Sequence, residues 1–140
     1  MSNASIASEK AVSGNASALI LAGRVLLSVI FILAGFAKLT AISGTAGWFA
    51  SIGLPVPTVT TVVVGLLELV GGIAILVGFQ TRIAAILLGV FTLAATAIAH
   101  TDFADQVQVM FLQKNLAIAG GLFVLAAFGA GALSIDARRK

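Results

Sequence analysis

The stretch VTTVVVGLLELVGGIAILVG, Val59 to Gly78, decides the fold. A helix needs roughly 20 apolar residues to cross a bilayer, and this run has that length with one ionisable residue, Glu68, near its middle. An acid in such a place costs on the order of 3 kcal/mol on insertion scales, so it points to a partner or a function. Thr61, Gly65, Glu68 and Gly72 recur at helical spacing, a stripe of small residues suited to pressing on neighbouring helices rather than lipid. The rest of the chain is read as a bundle closed around that face.

Composition supports a membrane protein. Of 140 residues, 60% are hydrophobic and 9% charged, and the mean hydropathy of +1.16 lies far outside the globular range. The absence of cysteine excludes disulfide, thiol-redox and thiolate–metal chemistry carried by this chain's own side chains. The formal net charge of +3 comes from basic residues scattered at segment ends. Such a distribution sets topology and does not make a phosphate-binding surface, so the expected partner is the bilayer and not nucleic acid.

Four spans are expected, over residues 19–39, 59–78, 81–100 and 113–133, preceded by a Ser-, Ala- and Asn-rich disordered tail over 1–18 and followed by a basic tail over 137–140. The fold class is therefore all-α, an integral membrane four-helix bundle. In the first span Arg24, Ser28, Phe31, Gly35 and Lys38 share a face, and the two bases either snorkel to opposite surfaces or pair with the acid. Counting about 1.5 Å of rise per residue along two antiparallel spans favours Arg24 over Lys38 as the partner of Glu68.

The first loop, Thr40 to Thr58, contains Trp48 and Phe49 in a short mixed segment over 46–52 that reads as a half-helix lying at the interface, ended by Gly53-Leu54-Pro55. Thr81 is the expected N-cap of the third span, along which Arg82, Ala85, Gly89, Thr92, Thr96 and His100 form a second small and polar stripe. His100 at its end is either an interfacial residue or the cap of a cavity. His100, Asp102 and Asp105 are too weak a grouping to predict a metal site, and none is expected. Lys114-Asn115 opens the last span, with Ala117, Gly121 and Ala126 to Ala130 as close-packing positions. Four spans put both termini on one side with Lys10, Arg24, Arg82, Arg138, Arg139 and Lys140, against Lys38 and Lys114 accompanied by Asp102 and Asp105 on the other. The positive-inside bias predicts cytoplasmic N and C termini.

Several pieces, in order, resemble the DoxX family of small four-helix membrane proteins. They are Gly23-Arg24, Gly35 and Lys38-Leu39; Gly53-Leu54-Pro55; Glu68-Leu69-Val70-Gly71-Gly72; Gly78-Phe79-Gln80-Thr81-Arg82; His100; Lys114-Asn115-Leu116 with Gly120-Gly121; and Leu133-Ser134-Ile135-Asp136. The resemblance implies a multi-pass protein of the bacterial or archaeal cytoplasmic (inner) membrane. It also implies a link to quinones, membrane redox complexes and oxidative stress, since the family is named after the membrane part of a thiosulfate:quinone oxidoreductase. Many relatives keep a tyrosine in the first loop; this chain has none, and Trp48-Phe49 stand in that region.

The expected function is a quinone-linked membrane subunit of a redox or oxidative-stress-response complex, non-autonomous because the chain lacks electron-carrying groups of its own. Arg24, Lys38, Glu68, His100, Lys114 and Asn115 are the candidate ligand-binding residues, with Glu68 and His100 the candidates for proton transfer. The alternative is a scaffold or anchor that recruits a partner enzyme or a second copy of the chain. A small-molecule transporter is less favoured, because four short spans show no inverted repeat.

Overall fold

The computed structural model describes residues 2–139, apart from the side chains of residues 7–12. Its helices are α1 (Asn3–Thr40), α2 (Ile42–Ser51), α3 (Pro57–Val77), α4 (Thr81–Ala99), α5 (Gln106–Phe128) and the single turn α6 (Ile135–Arg138). Four of them carry stretches long and apolar enough to cross a membrane: Ser13–Thr40, Pro57–Val77, Thr81–Ala99 and Gln106–Phe128. Leu26, Leu33, Phe36, Val63, Val70, Val90 and Val124 face outward. A bundle in water would carry charge at those positions; here they are the lipid-contacting surface.

Three boundaries differ from the sequence reading. The backbone of the segment expected as a disordered tail is helical from Asn3, with Ser2 as N-cap, in keeping with five alanines between residues 3 and 18. The Lys10 side chain and Lys140, counted above among the basic groups of that end, lie outside the described residues. The last span starts at Gln106, where the Asp105 carboxylate accepts from the Val107 N–H, and stops at Phe128, before the positive φ values of Gly129 and Gly131. The short helix expected over residues 46–52 of the first loop is α2, which begins earlier, at Ile42, and ends at Ser51.

The bundle is two helix pairs. In the first, α1 lies antiparallel on α3 with their backbones in contact: a Cβ at Gly35 would lie 2.5 Å from the Leu69 nitrogen and 2.6 Å from the Gly65 carbonyl oxygen. Only glycine permits that approach, and Thr61, Gly65, Glu68 and Gly72 are all buried on this face of α3, as their spacing predicted. In the second pair α4 packs on α5. The pairs meet in the half of the bundle nearer the termini, where Ile75, Ala85, Leu88 and Leu122 are fully buried with Phe31, Leu125 and Ala126 around them.

That terminal end is closed by polar caps. The Arg24 guanidinium, 1% exposed, donates to the Ile75 and Leu76 carbonyls that end α3 and to the Ala130 and Leu133 carbonyls of the segment after α5. Arg82 donates to the Ala126 and Ala127 carbonyls at the end of α5. Gly78, at φ +71, closes α3 in a Schellman turn, with the Phe79 N–H donating to the Ala74 carbonyl. The expected N-cap of α4 is not made by the Thr81 side chain. Asp136 of α6 reaches across and accepts from the Gln80 and Thr81 N–H groups, while its own N–H donates to the Gly78 carbonyl. Partial burial pushes this carboxyl up, but those donors and nearby Arg139 outweigh it and hold it below the usual carboxylate range.

Candidate functional site

The other end of the bundle, where the loops 41–56 and 100–105 lie, contains a cavity of about 440 Å³ between the two helix pairs. Its walls are mostly apolar, from Ile30, Phe31 and Ala34 of α1, Val64 of α3, Phe91, Ala95 and Ile98 of α4 and Ile118 of α5. Five of the six residues proposed above as ligand-binding line it: Lys38, Glu68, His100, Lys114 and Asn115. Trp48 and Phe49 of α2 line it too, with Phe49 buried and the Trp48 ring half-exposed at the rim.

Arg24 is not among them, and the expected Arg24 pairing with Glu68 is not made. Glu68 pairs instead with Lys38, at 2.8 Å. The expectation assumed that α1 and α3 end level with one another. Leu39, next to the end of α1, packs on Gly65, so the first two turns of α3 project beyond α1 and stand against α2. This register sets Glu68 level with the turn around Gly35. Lys38 is then about 5 Å further along the axis, within the reach of its side chain, and Arg24 about 16 Å away in the opposite direction.

Each polar group of the cavity is held in place. Glu68 is 6% exposed, on the floor of the cavity about 16 Å along α3 from Pro57. Asn115 donates from its amide to the Thr96 hydroxyl at 2.9 Å, and the Thr92 and Thr96 hydroxyls donate to carbonyls one turn back, which satisfies both inside an apolar wall. The His100 Nδ1 lies 2.7 Å from the Gln108 Oε1, and its ring stacks on Phe111 with centroids 5.0 Å apart. The Lys114 ammonium sits 4.4 Å from the centre of the same Phe111 ring. Asp102 and Asp105 are turned to local backbone N–H groups, those of Ala104 and Val107, and do not line the cavity.

Thr96 was read only as part of the inward stripe of α4, and Gln108 and Phe111 were not singled out, although the signal for Phe111 was present. Once Asp105 is taken as the cap of α5, Phe111, Lys114, Asn115 and Ile118 fall on one face at i, i+3, i+4 and i+7.

The DoxX family model matches residues 19–101. The chain belongs to the DoxX family. It is 41% identical over 117 residues to the inner membrane protein YqjF of Escherichia coli strain K12, covering 84% of this chain and 88% of that protein. It is 35% identical over 125 residues to the inner membrane protein YphA of the same strain, covering 86% and 89%. A Bacillus subtilis (strain 168) protein named "Putative oxidoreductase CatD" is 35% identical over 72 residues, 51% of this chain and 52% of that one. No solved structure matches the chain. With its four apolar helices, this DoxX protein is a multi-pass protein of the bacterial inner membrane. The matched region takes in Lys38, Glu68 and His100, whereas Lys114 and Asn115 lie beyond it.

Proposed function

We propose that the cavity is a quinone site and that this DoxX chain is the quinone-binding membrane subunit of a redox complex. The observation that carries the reading is the cavity itself, in which apolar and aromatic walls surround a few fixed polar groups at the depth of Glu68. About 440 Å³ is in the range of small-molecule sites, and the mixture of apolar wall and convergent donors suits a ring with two carbonyl oxygens. Lys38, Asn115 and His100 are the donors available to those oxygens. Glu68 and His100 are the groups able to pass protons to or from them at the loop end. The name of the Bacillus relative supports an oxidoreductase context.

Reducing a quinone to a quinol takes two electrons and two protons, and the electrons would come from a partner subunit. With one histidine, no cysteine and no tyrosine, the chain has few side chains suited to carrying them. In this proposal both termini face the cytoplasm, following the arginines gathered at the terminal end, and the cavity opens toward the opposite surface. A purified sample is expected to retain quinone from native membranes, and a short-chain soluble quinone analogue is expected to raise its melting temperature. The variant Glu68→Gln is expected to accumulate normally and lose that shift. Wild-type protein that neither retains quinone nor responds to the analogue would leave a scaffold subunit as the better reading.

A further inference from the structure

The charges around the cavity do not balance. Lys38 and Glu68 neutralise one another at 2.8 Å, and this is the one ion pair among the described residues. The two nearby acids, Asp102 and Asp105, are engaged by backbone N–H groups of their own loop. Lys114, which lines the cavity and is exposed at its rim, has Phe111 as its neighbour and no carboxylate within ion-pairing distance. An apolar chamber with an uncompensated ammonium at its mouth favours an apolar ligand that brings one negative oxygen.

We propose that the ligand of this cavity is an acidic ring, with an oxygen ionised at neutral pH, and that Lys114 is its counter-ion and the specificity-determining residue of the site. This rests on reading the cavity as a quinone site and narrows the class of ring it takes. The ring lies among Phe49, Phe91 and Phe111, and the ionised oxygen points outward to Lys114. The other polar edge faces the Lys38–Glu68 pair on the floor. Asn115, fixed by Thr96 one residue along from Lys114, lines the same wall and can donate to a neighbouring ring oxygen.

Trp48 is the sole tryptophan and lines the cavity, so quenching of its fluorescence reports occupancy without any turnover. The protein, in nanodiscs of zwitterionic phosphatidylcholine, is titrated with a hydroxynaphthoquinone that is ionised at neutral pH and with its uncharged methoxy counterpart. The ionised ring is expected to bind roughly tenfold more tightly, a difference of about 1.4 kcal/mol. Lys114→Gln should collapse that ratio toward one, and Lys114→Arg should keep it. Equal affinities in the wild type, or a preference that survives Lys114→Gln, would overturn the proposal while leaving the quinone reading intact. Binding of neither ring would overturn both. In a second arm the nanodiscs contain phosphatidylglycerol; if anionic lipid abolishes the preference, Lys114 serves a lipid phosphate and not the ring.

Discussion

Arg24 and Lys38 share a face of α1 but stand at opposite ends of the bundle, and their surroundings differ in kind. Arg24 is enclosed, with four carbonyl oxygens from α3 and the segment after α5 around a planar guanidinium that can donate to all of them. Lys38 stands on the wall of a cavity, with a single carboxylate for a partner and part of its side chain accessible. At the terminal end polar side chains tie helix ends together, and the space of about 610 Å³ there lies among the polar turns around Gln80, Gly129 and Asp136 and not between apolar helix faces. At the loop end they are spaced around a volume. A cation in a membrane span can therefore be mortar or a site, and the number of backbone acceptors around it distinguishes the two.

The largest expected effect is at the mortar. Arg24→Leu leaves the Leu76, Ala130 and Leu133 carbonyls without their donor, while Ile75 keeps the Gly78 N–H; each of the three is worth about 1–3 kcal/mol if left unsatisfied, a large share of the stability of a small bundle. The variant is expected not to accumulate in membranes, with Arg24→Lys a partial rescue, since one ammonium cannot span the same four oxygens. Quantifying membrane-inserted protein checks this. A normally accumulating Arg24→Leu would mean that the terminal end is not held as described.

A smaller effect is expected at Glu68. Glu68→Leu strands Lys38, but the lysine side chain is partly accessible and can turn toward water, so the loss should be about 1–3 kcal/mol, less than for an enclosed pair. The double variant Lys38→Met/Glu68→Leu should recover most of the lost melting temperature, and a strictly additive double variant would contradict the pairing.

The smallest effect belongs to Asp136. Asp136→Asn weakens the cap on α4 and should cost about 1 kcal/mol. Because the folded carboxyl is held below its ordinary value, its contribution is complete above about pH 4 and is lost as the pH falls from there through the lower folded value. Melting curves of wild type and Asp136→Asn should converge below that window and separate above it.

Much of the membrane architecture is legible in the sequence because its signals are local. The length of the apolar run around Glu68 gives a span, and the spacing of Thr61, Gly65, Glu68 and Gly72 gives its inward face. Five of the six expected ligand residues meet at one cavity because each sits on an inward face near the loop end. Helix stagger was not legible. It arises from Leu39 seating on Gly65 and from α2 packing beside the projecting turns of α3, contacts that no periodicity reports, and it moves the partner of Glu68 from Arg24 to Lys38. The Asp136 cap was hidden for the same reason, since its donors at Gln80 and Thr81 are distant in the chain.

The chain has no cysteine, so single cysteines introduced into it can report which end of the cavity is open. Ala95→Cys places a thiol on the cavity wall, with Thr101→Cys marking the loop side and Ala137→Cys the terminal side. An impermeant thiol reagent is applied to sealed vesicles of each orientation. Ala95→Cys is expected to react only from the side that labels Thr101→Cys and to be protected by a bound quinone analogue. Reaction from the side that labels Ala137→Cys would contradict a bundle sealed at one end and open at the other.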